Sequence, residues 1–121
     1  TNTGGEILIM KNNILSKVTI SGTPATYTHS NNGTTDTSSP DNTYDSQTYS
    51  FVNTTLATAD YHLQSSDTGA KDKGTDLSAD GTYAFSDDFE RVTRSGTWDQ
   101  GADEYVSAGG INLLTIYAED L

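Results

Sequence analysis

Leu, Ile, Val and Phe together supply only 21 of the 121 side chains, too few to fill a conventional core. The shortage coincides with 17 acids against 6 bases, a formal charge of −11. Few aliphatics with high net charge is the composition of chains that stay disordered. Seven Tyr and one Trp pull toward a folded state, because aromatic rings bury large areas. The expectation is a chain that completes its core beside a partner. The charge repels phosphate and argues against nucleic-acid binding. The lack of Cys excludes disulfides and thiolate chemistry. No apolar run approaches the ~18 residues of a membrane helix. With no initiator Met and no leader peptide, the chain reads as a processed or excised fragment.

Helix patterns are nearly absent. Thr, Ser, Asn, Asp and Gly dominate, and these favour turns and strands over helix interiors. The most apolar segment runs from Glu6 to Ile20. Ile7 and Ile9 alternate with Leu8 and Met10, so both faces of a strand are apolar. Asn12-Asn13 interrupts it, and Ile14-Leu15, Val18 and Ile20 resume it. This predicts two short strands about an Asn corner. Residues 21–50 are polar, with a turn signal at Asn31-Asn32-Gly33 and only Tyr27, Tyr44 and Tyr49 as large anchors. Short strands are expected at Phe51-Val52 and Tyr61-His62-Leu63. Residues 67–104 are irregular, and their aromatics Tyr83, Phe85, Phe89 and Trp98 are expected to plug an opening.

Five elements in order are more specific. They are Phe51-Val52-Asn53, Asp60-Tyr61-His62-Leu63, the run from Ala70 to Asp76, the run from Asp87 to Arg94, and Trp98-Asp99-Gln100-Gly101-Ala102-Asp103-Glu104-Tyr105. Together they resemble the C-terminal end of right-handed parallel β-helix proteins of the pectate-lyase-like superfamily. The segment from Ile7 to Ile14 resembles a single coil of the same helix. The pattern departs at Gly69 and Lys71, where Pro and Ile are usual, and at Phe89-Glu90, where Asp-Gly is usual. No Pro follows Arg94.

The resemblance implies an all-β fold: terminal coils and cap of a right-handed parallel β-helix over residues 1–105, then a C-terminal strand within 106–121. An open coil end exposes backbone and apolar surface that must be covered. Phe51, Leu63, Phe89 and Trp98 are expected to supply that cover. Arg94 offers five fixed donors, with Asp99 and Glu104 as the expected partners. Gly74 and Gly101 are expected to adopt backbone angles closed to other residues. In the tail, Ile111, Leu113 and Tyr117 form one apolar face and Leu114 and Ile116 the other. That strand is expected to pair with another chain or dock on the coil end.

Sites of chemistry are scarce. His62 has no second His or Cys near it in sequence and reads as a strand histidine packed by its neighbours; His29 lies in a polar loop. Asp87-Asp88, Asp99, Asp103 and Glu104 offer carboxylate pairs, but so acidic a chain offers them by chance, and no catalytic constellation stands out. Asp76, Ser78, Asp80 and Asp87, with Gly81, match a calcium-loop spacing, but no flanking helices are visible, Asp replaces the usual Glu, and a solvated Asp-Gly turn is the favoured reading. No cofactor follows from this. Asn32-Gly33-Thr34 and Asn53-Thr54-Thr55 are glycosylation sequons of the kind a Thr-rich chain produces. Tyr27, Tyr44 and Tyr49 either anchor packing or stack on sugars. The expectation is a non-enzymatic structural module of a virion surface or other extracellular assembly, with protein partners or self-assembly and no membrane insertion. The alternatives are the terminal part of a secreted carbohydrate-binding or carbohydrate-processing β-helix protein, and a strand-exchange filament subunit.

Overall fold

The computed structural model describes residues 5–107. Strands dominate them, and the one helical turn is a 3-10 turn at Leu56–Thr58. The assembly residues Ile111, Leu113, Leu114, Ile116 and Tyr117 lie outside the described residues.

The Asn corner organises the first third. Strand β1 (Ile7–Lys11) pairs in parallel with β3 (Thr26–Ser30), and β2 (Ile14–Leu15) pairs in parallel with β4 (Gly33–Thr34). Both ladders hold the same 19-residue offset, which also separates Asn13 from Asn32. Between the strands, Asn12 and Asn31 each take a left-handed conformation, φ 53°. Asn tolerates that region better than other side-chain-bearing residues. The chain therefore turns at the same place in successive passes. Asn13 Nδ2 donates to Asn32 Oδ1 at 2.6 Å, and Asn32 Nδ2 donates to the Met10 carbonyl at 2.8 Å. Asn31-Asn32-Gly33 thus makes a corner between β3 and β4. Val18 and Ile20 do not extend β2; residues 16–21 lie outside any ladder, and Val18 N–H donates to Ser38 Oγ.

Residues 36–50 wrap beside β4, where Thr34 N–H donates to Tyr44 O and Gln47 N–H donates to Thr34 O. An antiparallel pair follows, β5 (Phe51–Asn53) with β6 (Asp60–Leu63), irregular in register. Residues 64–107 hold turns and one isolated bridge, Asp87 with Thr93.

The buried apolar residues are Leu63, Ala70, Leu77 and Trp98 alone among the described residues. Asn12, Asn32, Thr34, Ser39, Asp67, Asp88, Arg94, Asp99, Gln100 and Asp103 are buried with them. The interior is a polar lattice, which answers the shortage of aliphatics. Such an interior holds only if its members find hydrogen-bond partners. Of the aromatics expected to plug an opening, Trp98 is buried, whereas Tyr83, Phe85 and Phe89 remain substantially exposed.

Candidate functional site

The acids of residues 60–107 act largely as acceptors for loop backbone. Asp67 accepts the N–H groups of Ser50, Ala70 and Lys71. Asp88 accepts those of Glu90 and Val92, and Asp99 those of Asp72 and Tyr105. Each carboxylate thereby pins two or three backbone N–H groups, Asp88 within its own turn and Asp67 and Asp99 across the chain as well.

Residues 73–75 join this lattice to the Asn corners. Asn31 Nδ2 donates to the Lys73 carbonyl at 2.8 Å. Asn12 bonds Thr75 twice, accepting its N–H and donating to its carbonyl, each at 2.8 Å. The segment thus crosses both stacked corners. Gly74 lies between these contacts, and its N–H donates to the Trp98 carbonyl at 2.6 Å.

Gly74 needs no positive φ, contrary to expectation. It must lack a side chain because a Cβ would strike the Asp99 carbonyl. Gly101 does adopt φ 89°, and a Cβ there would also meet Ile14 Cδ1 at 2.7 Å.

Arg94 lies at the centre of the lattice, its side chain 1% exposed. Nη1 reaches Glu104 Oε2 at 3.3 Å and the Asp99 carbonyl at 3.1 Å, and Nη2 donates to the Gly101 carbonyl at 2.9 Å. Of the two acids expected to partner it, Glu104 supplies a carboxylate and Asp99 supplies backbone. The guanidinium also lies 5.3 Å from the Trp98 ring centre, a cation–π distance. Burial pushes the Glu104 and Asp99 carboxyls above their ordinary values; backbone N–H donors and Arg94 pull back incompletely.

Phe51 is half-buried, in edge contact with Tyr61, and Leu63 is buried. Phe89 departs from its expected role: it is 55% exposed and lies against the His62 ring instead of sealing the interior. Phe51, Tyr61, Phe85 and Phe89 instead line an open cleft of about 810 Å³ beside the Asn12 corner, with Gln100 and Asp103 in its wall.

The calcium-spaced residues go to separate partners. Asp76 caps the Ser78 N–H. Asp80 pairs with Lys11 and caps Thr82 and Tyr83, and the Lys11 ammonium holds its carboxyl at about 2. Asp87 accepts from Thr93 Oγ1. Tyr27 stacks on His29, which pairs with Asp41 at 2.8 Å. Burial and the Asp67 charge push the Tyr49 hydroxyl up to about 12.

His62 has a richer setting than its sequence neighbours indicate. Nδ1 is held by Asp60, and Nε2 faces Glu90 Oε1 at 3.2 Å. The Asp60 carboxylate raises the His62 pKa; burial opposes it, and Glu90 and Asp103 add to it. His62, Glu90 and Asp103 are the one set of three potential metal donors that converge among the described residues. The sequence signal for this set was absent, because Glu90 and Asp103 lie far along the chain in different loops.

No helix among the described residues is long and apolar enough to cross a membrane. The chain matches no protein-family model, and comparison with curated proteins and with solved structures likewise finds no match.

Proposed function

We propose that the chain is a non-catalytic structural and interaction module: the terminal coils and cap of a parallel β-helix in a virion-surface or other extracellular assembly. The observation that carries this reading is the pair of parallel ladders held at one 19-residue offset across stacked Asn corners. Parallel strands ordinarily need a helical crossover. A constant offset bridged without a helix is what a coiled strand path produces. The Arg94 lattice then supplies a cover on the coil corners. Among the described residues no third strand continues the β1–β3 sheet, so its outer edges suit another coil or a partner chain.

Fusing one further coil of matched 19-residue length ahead of Thr1 tests this. If the edge of β1 stacks coils, the fusion melts several degrees higher and its added amides gain exchange protection. An unchanged melting temperature with an unprotected added coil overturns the reading.

The aromatic cleft favours carbohydrate binding as the second reading. Its rings offer flat apolar faces, with Tyr61 54% exposed. Tyr61→Ala should abolish oligosaccharide-induced chemical-shift changes; their persistence removes this reading. Strand exchange rests on residues 111–118, outside the described residues. Truncation after Tyr105 should lower the assembly state, and an unaltered molar mass removes that alternative.

A further inference from the structure

His62, Glu90 and Asp103 arrive from three separate segments: β6, the turn at 88–92 and the loop at 99–105. One ligand atom of each lies within 4.8 Å of the other two. Nε2 of His62 aims into this cluster, while Nδ1 is engaged by Asp60. An imidazole so held turns its other nitrogen to the cluster, where Glu90 faces it, in the way that metal-binding histidines do with a carboxylate fixing the ring.

Asp103 supplies a second, independent observation. It is only 6% exposed, yet its one hydrogen bond among the described residues is from the Leu63 N–H at 2.7 Å. The other buried acids, Asp67, Asp88 and Asp99, each accept two or three N–H groups. No cationic side chain forms an ion pair with Asp103 among the described residues. Buried charges are normally paired or bound to metal, and Asp103 carries no pairing of the first kind.

We propose that His62, Glu90 and Asp103 bind one divalent transition-metal cation, with Zn2+ preferred over hard cations. One imidazole and two carboxylates suit Zn2+, Co2+ or Mn2+, whereas Ca2+ asks for six or more oxygens. A tetrahedral ion about 2.1 Å from each donor sets the donors roughly 3.4 Å apart. His62 and Glu90 already meet that spacing at 3.2 Å. Glu90, its side chain 49% exposed, has the freedom to complete it. A cavity of about 200 Å³ opens beside the cluster, with Asp88 and Glu104 also in its wall. It admits the ion and leaves a coordination position for water. The ion ties together a strand, a turn and a loop that otherwise share few backbone bonds. This inference is independent of the β-helix reading, because it needs only the local geometry.

Calorimetric titration of the chelator-treated full chain with Zn2+ tests the proposal. It predicts saturation at one Zn2+ per chain and a melting temperature that rises with Zn2+ concentration. His62→Gln and Asp103→Asn should each weaken binding about tenfold or more, the effect expected for a lost contact at a metal site. Asp76→Asn, at an acid outside the cluster, should leave it unchanged. Glu90→Gln, on the exposed side of the turn, should weaken Zn2+ while keeping the metal-free melting temperature, which separates binding from folding. Co2+ should give visible absorption that His62→Gln removes. Failure to saturate below millimolar Zn2+, equal affinity for Ca2+, or full affinity in His62→Gln overturns the proposal.

Discussion

The paired-strand region, residues 7–34, and the loop region, residues 60–107, solve one problem in opposite ways. Both must satisfy backbone groups without a large apolar core. The first region does so by ladders, with parallel strands meeting at Asn corners. The loops have almost no ladders and use carboxylates as substitute acceptors, with Arg94 serving the carbonyls. The comparison assigns the acidity a structural task, since Asp67, Asp88 and Asp99 fix loop conformation from inside. Burial separates the acids whose carboxyls shift. Near the paired strands, Asp36 is held low by Ser38; Asp41 is held low by His29 and Asn32 although burial opposes it. Asp99, deeper in the loop lattice, is pushed up by burial despite its N–H donors.

Removing the loop lattice at its centre should have the largest effect. Arg94→Ala leaves the Asp99 and Gly101 carbonyls without their donor and the Glu104 carboxylate buried without its cation, with only the Asp99 N–H still donating to it. Breaking a buried pair in this way costs about 3–5 kcal/mol, read as a fall in the urea midpoint. A loss below about 1 kcal/mol, the range of a surface pair, would make the two regions energetically separate.

Gly74→Ala comes next. Its new methyl meets the Asp99 carbonyl, which is backbone and cannot swing away. Overpacking of this kind costs about 1–3 kcal/mol. Gly33→Ala is the sharpening control. Its methyl meets the Tyr49 hydroxyl and Gln100 Oε1, side-chain ends with more freedom to move. It should therefore cost less than Gly74→Ala, and the reverse order would place the tighter packing in the paired-strand region.

A smaller effect separates the two contributions of the Asn12 corner. Asn12→Ala loses both bonds to Thr75 and places Ala at φ 53°. Asn12→Gly loses the bonds but accepts the angle. Ala should cost about 1–3 kcal/mol and Gly about 1 kcal/mol less. Equal losses would show that the side-chain bonds, not the backbone angle, hold the corner.

The smallest effect is on pH dependence, and its sign follows burial: Asp60, Asp76 and Asp80 of the loop region are lowered like Asp36 and Asp41, whereas the buried Asp99 and Glu104 are raised. Asp36, Asp41 and Asp80 have lowered values, so their stabilisation is present above the unfolded value of about 3.9. It is lost as pH falls through their folded values, about 2 for Asp80. Asp99 has a raised value, so the fold gains stability as pH falls through it toward about 3.9. Hydrogen exchange followed from pH 6 downward should show protection lost at the Asn corners before the Asp99 loop. Loss in the Asp99 loop first would reverse the comparison.

The apolar runs on either side of Asn12 and the turn at Asn31-Asn32-Gly33 were legible because strand and corner preferences are local. So were Phe51-Val52 and Tyr61-His62-Leu63 as strands, and Gly101 as a position of positive φ. Phe89 was legible as an aromatic but not as an exposed neighbour of His62, since burial depends on what packs opposite. Gly74 was legible as a glycine with the wrong reason, because close approach of the Asp99 carbonyl is a relation between distant segments.

Composition and pattern by themselves determined that this chain builds strands and corners, makes little helix, and cannot rely on an aliphatic core. Those properties follow from side-chain volume and local backbone preference, which each residue carries with it. Which acids turn inward was decided only by the tertiary structure. Asp67, Asp99 and Asp103 are buried while Asp87 is exposed, though all are the same residue type in similar polar surroundings. The environment of a carboxylate is set by the N–H groups and charges brought to it through space. The meeting of His62, Glu90 and Asp103 was decided in the same way, because it requires two distant loops to close on strand β6 and no local preference encodes that closure.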